Sequence, residues 1–174
     1  MEIITLILDG QLEHKDSMGT GSVIYKDEVQ VMSAGSGITH SEFNPSRDES
    51  VKLLQLWIFP KEKNIKPRYD QKAFPLVERR NKLVAAVSGL NKEGSLYIHQ
   101  DAEIYIGTFD KGQTINYKTG KHGNGQYIFV IDGQIKTVDE DLFKRDAIGI
   151  SEQDEFTIET VEDSYFIIID VPLG

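Results

Sequence analysis

The chain has 174 residues, 39% of them hydrophobic and 27% charged, and its 19 Lys and Arg face 28 Asp and Glu for a formal net charge of -9. That profile supports one large or two small packed domains and excludes a disordered chain. The acid excess argues against direct nucleic-acid binding, and no apolar run reaches the roughly 20 residues needed to span a bilayer.

With no Cys in the chain, disulfides, thiol nucleophiles and Cys-ligated metal sites are excluded. A Cys-free composition fits the cytoplasm. The opening MEIITLILDG has neither a basic leader region nor a cleavage site, so it is not read as a signal peptide. Cytoplasmic location with no membrane contact is the expectation.

Glu2 to Leu8 reads as a buried strand with no lead-in, either tied down at the terminus or preceded by further chain. Asp9-Gly10 favours a tight turn, because both residues tolerate positive φ, and Gln11 to His14 forms the return strand. Ser17 to Ser22 is turn-rich. Strands are expected at Val23 to Tyr25, Val29 to Met32 and Lys52 to Phe59. Phe59 to Asn81 is polar and holds Pro60, Pro67 and Pro75, which suits a linker or extended crossing segment. Further strands follow at Leu83 to Val87, Ser95 to Ile98, Ala102 to Phe109, Gln113 to Tyr117, Tyr127 to Asp132, Ala147 to Ile150, Phe156 to Thr160 and Ser164 to Val171. Only Tyr69 to Lys72 and Asp139 to Phe143 offer short helix candidates. The class is all-β, a barrel or sandwich.

An internal repeat supports two related units. Ile7-Leu8-Asp9-Gly10-Gln11-Leu12 returns as Val130-Ile131-Asp132-Gly133-Gln134-Ile135, an offset of 123 residues. Downstream, Tyr25-Lys26-Asp27-Glu28-Val29 has a looser echo in Lys144-Arg145-Asp146-Ala147-Ile148.

No nucleophile elbow or phosphate-binding loop is present, which leaves the catalytic residues unassigned and excludes nucleotide and flavin cofactors. His40 and Glu42, two apart, share one face if they lie on a strand. They are either an imidazole-carboxylate metal pair or a polar pair at a barrel mouth. Glu2 either points into a barrel as a metal ligand or faces solvent at a chain end. His14, among charged neighbours, is expected at a rim or surface, as an outer hydrogen-bond donor or a substrate contact. His99 and His122 have no sequence partners and read as surface or edge residues. Trp57 reads as core, with a pocket lining as the other reading.

LEHKDSMG at Leu12 to Gly19 and VQVMSAGSGITHSE at Val29 to Glu42 resemble the pirin family of the cupin superfamily. The Asp9-Gly10 turn, the Trp57 strand and Pro67-Arg68-Tyr69 share that resemblance, which covers essentially the whole chain. It implies two cupin-type double-stranded β-helix (jelly-roll) barrels. The expected domains are a first cupin domain over residues 1–59, a linker over 60–82 and a second cupin domain over 83–174. It implies an Fe(II) site whose ligands are an H-x-H pair plus His40 and Glu42. Gly37, His40 and Asn44 fit the second cupin motif, and Glu2 fits the glutamate of the first, a position that is not normally a pirin ligand. The H-x-H pair would precede Glu2, ahead of Met1, so the first barrel is expected to be truncated at its N-terminus. His40 and Glu42 then remain as the metal pair, with Glu2 as a candidate substitute and His14 beside them. In the second unit the aligned positions are Thr119 and Lys121, which implies a structural role. The resemblance further implies relation to quercetin 2,3-dioxygenases, with weak or absent activity in this chain. Its alternatives are a full iron dioxygenase, whose remaining ligands come from upstream sequence or a partner chain, and an interaction protein for transcription factors or metabolic enzymes. A homodimer is expected, because missing strands expose edges.

Overall fold

The structure is a computed structural model and describes residues 1–17, 19 and 21–173. Met18 and Thr20, which fall in the expected turn-rich stretch, lie outside the described residues. The chain divides into two compact units: residues 1–75 with 96–100, and residues 76–95 with 101–174.

Unit one is built from β1 (Glu2–Asp9), β2 (Gln11–Asp16), β3 (Gly21–Tyr25), β4 (Glu28–Ser33), β5 (His40–Phe43), β6 (Lys52–Ile58) and β7 (Arg68–Ala73). The dipeptide β9 (Leu96–Tyr97) also belongs to it. One sheet has the order β6-β1-β4-β7 and the other β3-β2-β5. All these pairings are antiparallel. Ile7, Leu12 and Ile24 close one end of the interior, with Val51 and Leu53 packed against them.

Unit two holds α1 (Leu76–Arg79), β8 (Lys82–Ser88), β10 (Glu103–Phe109), β11 (Thr114–Lys118), β12 (Asn124–Asp132), β13 (Gln134–Thr137), β14 (Glu140–Phe143), β15 (Ala147–Ile150), β16 (Glu155–Thr160) and β17 (Ser164–Pro172). Its sheets are ordered β10-β17-β12-β15 and β11-β16-β13-β14. Phe109 and Phe166 stack in its core at 5.5 Å, and Ile128, Ile135, Ile158 and Ile168 are fully buried around them.

The repeat is physical. β6-β1-β4 matches β17-β12-β15, and β3-β2-β5 matches β14-β13-β16. Each central strand bulges at the same place, between Ile7 and Asp9 in β1 and between Val130 and Asp132 in β12. The turn glycines have φ +75 at Gly10 and +84 at Gly133. Each also lies under the backbone that leads into the next inner strand. A Cβ would fall 2.6 Å from the Ser50 carbonyl oxygen at Gly10, and 2.2 Å from that of Asp163 at Gly133. Both conditions require glycine. The units differ at their margins. β10 flanks β17 and β11 flanks β16, whereas among the described residues nothing occupies the matching edges of β6 and β5.

Both helix expectations are corrected: Tyr69 to Lys72 lies within β7 and residues 140–143 form β14. Each segment has a neighbouring strand edge to pair with, and that pairing outweighs weak local preference. The stretch expected to link the units therefore carries a sheet strand, β7, which pairs with β4 from Glu28↔Ala73 to Ser33↔Arg68.

Two substitutions test these constraints. Gly133→Ala is expected to destabilise unit two by at least about 1–3 kcal/mol in chemical denaturation. Gly149→Ala, with ordinary φ and nothing within 4 Å of the new Cβ, should stay within about 0.5 kcal/mol of wild type. Phe166→Ala should cost about 3–5 kcal/mol, because Phe166 is fully buried and packed on Phe109.

Candidate functional site

The interior of unit one is layered by the two-residue period of its strands. β5 presents His40 and Glu42 to one side and Ser41 and Phe43 to solvent, as the alternating burial shows. In register, Glu42 lies opposite His14 and His40 opposite Asp16, so the four side chains converge across β2 and β5. The His14 and His40 rings stack at 5.6 Å, and the Tyr69 ring lies 5.2 Å from His14.

Hydrogen bonds fix this group. His14 Nε2 donates to Asp16 Oδ2 at 3.3 Å. Gln55 Nε2 donates to Glu42 Oε2 at 2.9 Å and more weakly to Thr5 Oγ1 at 3.4 Å. Trp57 Nε1 in turn donates to Gln55 Oε1 at 3.0 Å. The Tyr69 hydroxyl donates to Gln71 Oε1 at 2.8 Å and also meets the Ser22 hydroxyl. Burial, with the charges of Glu28, Asp16 and Asp70, raises the Tyr69 phenol above its ordinary value and keeps it a donor.

Several atoms here lack partners. His14 Nδ1, Glu42 Oε1 and both amide atoms of Gln30 are buried without a hydrogen bond. His14 Nδ1 and Glu42 Oε1 face one another at 3.9 Å. Imidazole and carboxylate are donors suited to a divalent transition metal ion. Among the described residues, however, no three His, Asp or Glu side chains are grouped ready to hold one. The residues present therefore fit such an ion as a partial donor set.

The structure brings His14, His40 and Glu42 together but does not bring Glu2 to them. Thr5 contacts Gln55 on the interior face, so Glu2, three residues away on β1, lies on the opposite face. Glu2 is fully buried there, accepts from Ser33 Oγ at 2.8 Å and has His99 Nδ1 at 3.4 Å. His99 thus has a partner that sequence spacing did not reveal, whereas His122 is an exposed side chain paired with Asp154. His14 is not at a rim, as its charged neighbours suggested, but fully buried. Glu13 and Lys15 alternate to the other face and pair with each other at 2.8 Å. Trp57 is not core: it is 61% exposed at the end of the interior layer that begins with Leu53 and Gln55. Asp16, Gln55, Thr5 and Gln30 were missed. Their signal was present, since Leu12-His14-Asp16 and Leu53-Gln55-Trp57 are runs at strand period that place polar groups on the buried face.

The second unit carries no equivalent. Register and repeat match Thr5 with Ile128, Gln55 with Ile168, Gln30 with Ile148, Glu42 with Ile158, His14 with Thr137 and His40 with Phe156. The same layer is thus polar in unit one and, apart from Thr137, apolar in unit two. One end of barrel two instead holds two carboxylates whose oxygens all accept hydrogen bonds, although Gln126 Oε1 beside Asp170 has none. Asp170 accepts from Tyr117 at 2.6 Å, Thr119 at 2.7 Å and Asn124 at 2.5 Å. Glu103 accepts from Ser88 at 3.0 Å and Tyr105 at 2.8 Å. Burial, then these carboxylates, push both phenols far above their ordinary range, so they remain donors.

Known proteins share this architecture. The family pattern for pirin matches residues 1–58, and that for the quercetinase C-terminal cupin domain matches residues 85–171. The quercetin 2,3-dioxygenase of Escherichia coli strain K12 is 34% identical over 99% of this chain and 73% of its own length. A pirin-like protein of Caulobacter vibrioides is 36% identical over 98% of this chain and 73% of its own. The crystal structure of the bacterial pirin YhhW from Escherichia coli, in complex with nickel(II), superposes with a TM-score of 0.91 at 34% identity, covering 99% of this chain and 72% of that one. Two cupin-type barrels in one chain, a polar layer in the first alone, and this identity across nearly every residue establish that the chain belongs to the pirin family.

Proposed function

We propose that this chain is a pirin-type bicupin related to quercetin 2,3-dioxygenases, in which His40 and Glu42 are the remaining pair of a metal site. The carrying observation is the polar layer. His40, Glu42, His14 and Gln55 occupy positions that the sister barrel fills with apolar side chains or threonine, and two of the resulting buried atoms have no partner. Buried polar atoms left unpaired cost about 1–3 kcal/mol each. A layer kept at that cost, beside an apolar version of itself, is the mark of a site.

The metal by family resemblance is Fe(II). When bound, such an ion supplies Lewis-acid activation of a phenolic or enolic oxygen, as in a flavonol. The residues supply ligation through His40 and Glu42, orientation through Gln55, and exclusion of water by Thr5, Ile7 and Leu12 at the closed end. Two ligands on their own hold an ion loosely, so weak metal binding and little or no quercetin dioxygenase activity are the reading for the residues present here. Quercetin-dependent dioxygen consumption should stay at the metal-free background after loading with Fe(II). Robust turnover that disappears in His40→Ala would show instead that the site is fully functional.

The same reading predicts a trade between site and stability. Replacing Glu42 and Gln55 together by isoleucine, the residue of the sister barrel, should stabilise the fold by about 1–4 kcal/mol and abolish metal binding. A loss of stability would make the layer structural.

Association with a second copy has its own support. β6 carries a single charge, Lys52, and has an open edge among the described residues, and Trp57 and Phe59 beside it are 61% and 76% exposed. Such an edge favours pairing with another chain. Light scattering should report a homodimer, and a monomer at every concentration would remove this part.

A further inference from the structure

Four polar side chains stand in one row across the interior face of the four-stranded sheet of unit one. Gln55 pairs in register with Thr5, Thr5 with Gln30 and Gln30 with Gln71, so the row runs from β6 through β1 and β4 to β7. The three-stranded sheet answers with a shorter row, in which Ser22 and Glu42 flank His14. Both flanks of the layer are bridged from sheet to sheet. On one side Gln55 donates to Glu42 at 2.9 Å. On the other, Gln71 donates to the Val23 carbonyl at 3.1 Å, and the Tyr69 and Ser22 hydroxyls meet.

The middle of the layer is not bridged. Gln30 is fully buried, and neither its amide nitrogen nor its amide oxygen has a hydrogen-bond partner. Thr5 beside it has only the weak 3.4 Å contact from Gln55. Buried amide atoms in folded proteins are nearly always served by protein, water or a ligand. The matching position in unit two is Ile148, packed against the apolar core, so the same strand arrangement is reached without an amide there. An amide is a donor beside an acceptor. Its complement is a molecule that carries an acceptor beside a donor, such as a carbonyl next to a hydroxyl. A flavonol presents that pair as its 4-carbonyl and 3-hydroxyl.

We propose that Gln30 is a specificity-determining residue of the first barrel, its Nε2 donating to the carbonyl and its Oε1 accepting from the neighbouring hydroxyl of a ligand held between the two rows. The inference rests on the reading above that relates this chain to flavonol dioxygenases. It goes further by naming the residue that reads the hydroxyl-carbonyl pair, and it requires no metal ion.

The full chain is titrated calorimetrically with quercetin and with luteolin, which is quercetin without its 3-hydroxyl, both as purified and with a chelator present. Quercetin should bind about 10–100-fold more tightly than luteolin in both conditions. Gln30→Ile, the residue of the sister barrel, should remove most of that preference by weakening quercetin while leaving luteolin within about threefold. The variant should also resist chemical denaturation at least as well as the wild type, since an orphaned amide has been removed. Gln30→Met, close in shape to glutamine, gives the same comparison where isoleucine crowds the layer. Equal binding of the two compounds, or a preference that survives in both variants or vanishes with the chelator, would overturn this inference and leave the relation to the dioxygenases standing. Variants that are less stable and lose both compounds equally would do the same, because they would make Gln30 structural. Binding of neither compound would overturn both this inference and the flavonol reading.

Discussion

Everything at the candidate site depends on the register of β1 between β4 and β6. That strand is central to its sheet and pairs on both sides, so its alternation dictates which side chains of three strands share the interior. Thr5 brings Gln30 and Gln55 with it, and Gln55 reaches across to Glu42 on the other sheet. Shifting β1 by one residue would turn Glu2, Ile4 and Leu6 inward and dismantle the layer. The bulge between Ile7 and Asp9, and the glycine turn after it, lock the register at one end. The polar layer is therefore a consequence of a backbone constraint set at Gly10, well away from the histidines themselves.

The two barrels show how one scaffold supports opposite interiors. In unit two the isoleucines of β12, β15, β16 and β17 fill the layer, and stacked Phe109 and Phe166 fill the next. Its buried carboxylates sit at one end and are fully served by hydroxyls and amides. In unit one, by contrast, Glu42 and Glu2 each have one oxygen that accepts a hydrogen bond and one that does not. The difference lies in the carboxylates, because a carboxylate with both oxygens bonded rigidifies its surroundings, whereas one with a single bonded oxygen does so less. Divergence between the halves has thus left a mostly apolar layer in one barrel and a polar layer in the other.

Sequence reveals this unevenly, for physical reasons. The all-β class, the duplication and the H-x-E pair were legible because each is a short-range pattern: alternation, a turn dipeptide, a two-residue spacing. His14 was misplaced because its sequence neighbours Glu13 and Lys15 are charged, yet on a strand those neighbours face away from it. Trp57 was misplaced because its size suggests a core, while its position at the end of an edge strand leaves nothing to cover it. Glu2 matched a cupin motif in sequence, but parity with Thr5 puts it on the wrong face for His40. The His99–Glu2 and Gln55–Glu42 contacts join residues that lie 97 and 13 positions apart. No local pattern reports such pairs.

The free oxygen of Glu42 and the free nitrogen of His14 are best understood together. Each is accompanied by a second residue that holds the other polar atom of the same side chain. Asp16 accepts from His14 Nε2, and Gln55 donates to one of the two Glu42 oxygens. Two independent bonds that hold His14 and Glu42 in place order this part of the layer. The sister barrel reaches the same strand arrangement with isoleucine at most of these positions. The consequence of these bonds is a polar layer held in a fixed arrangement where the sister barrel packs mostly isoleucine.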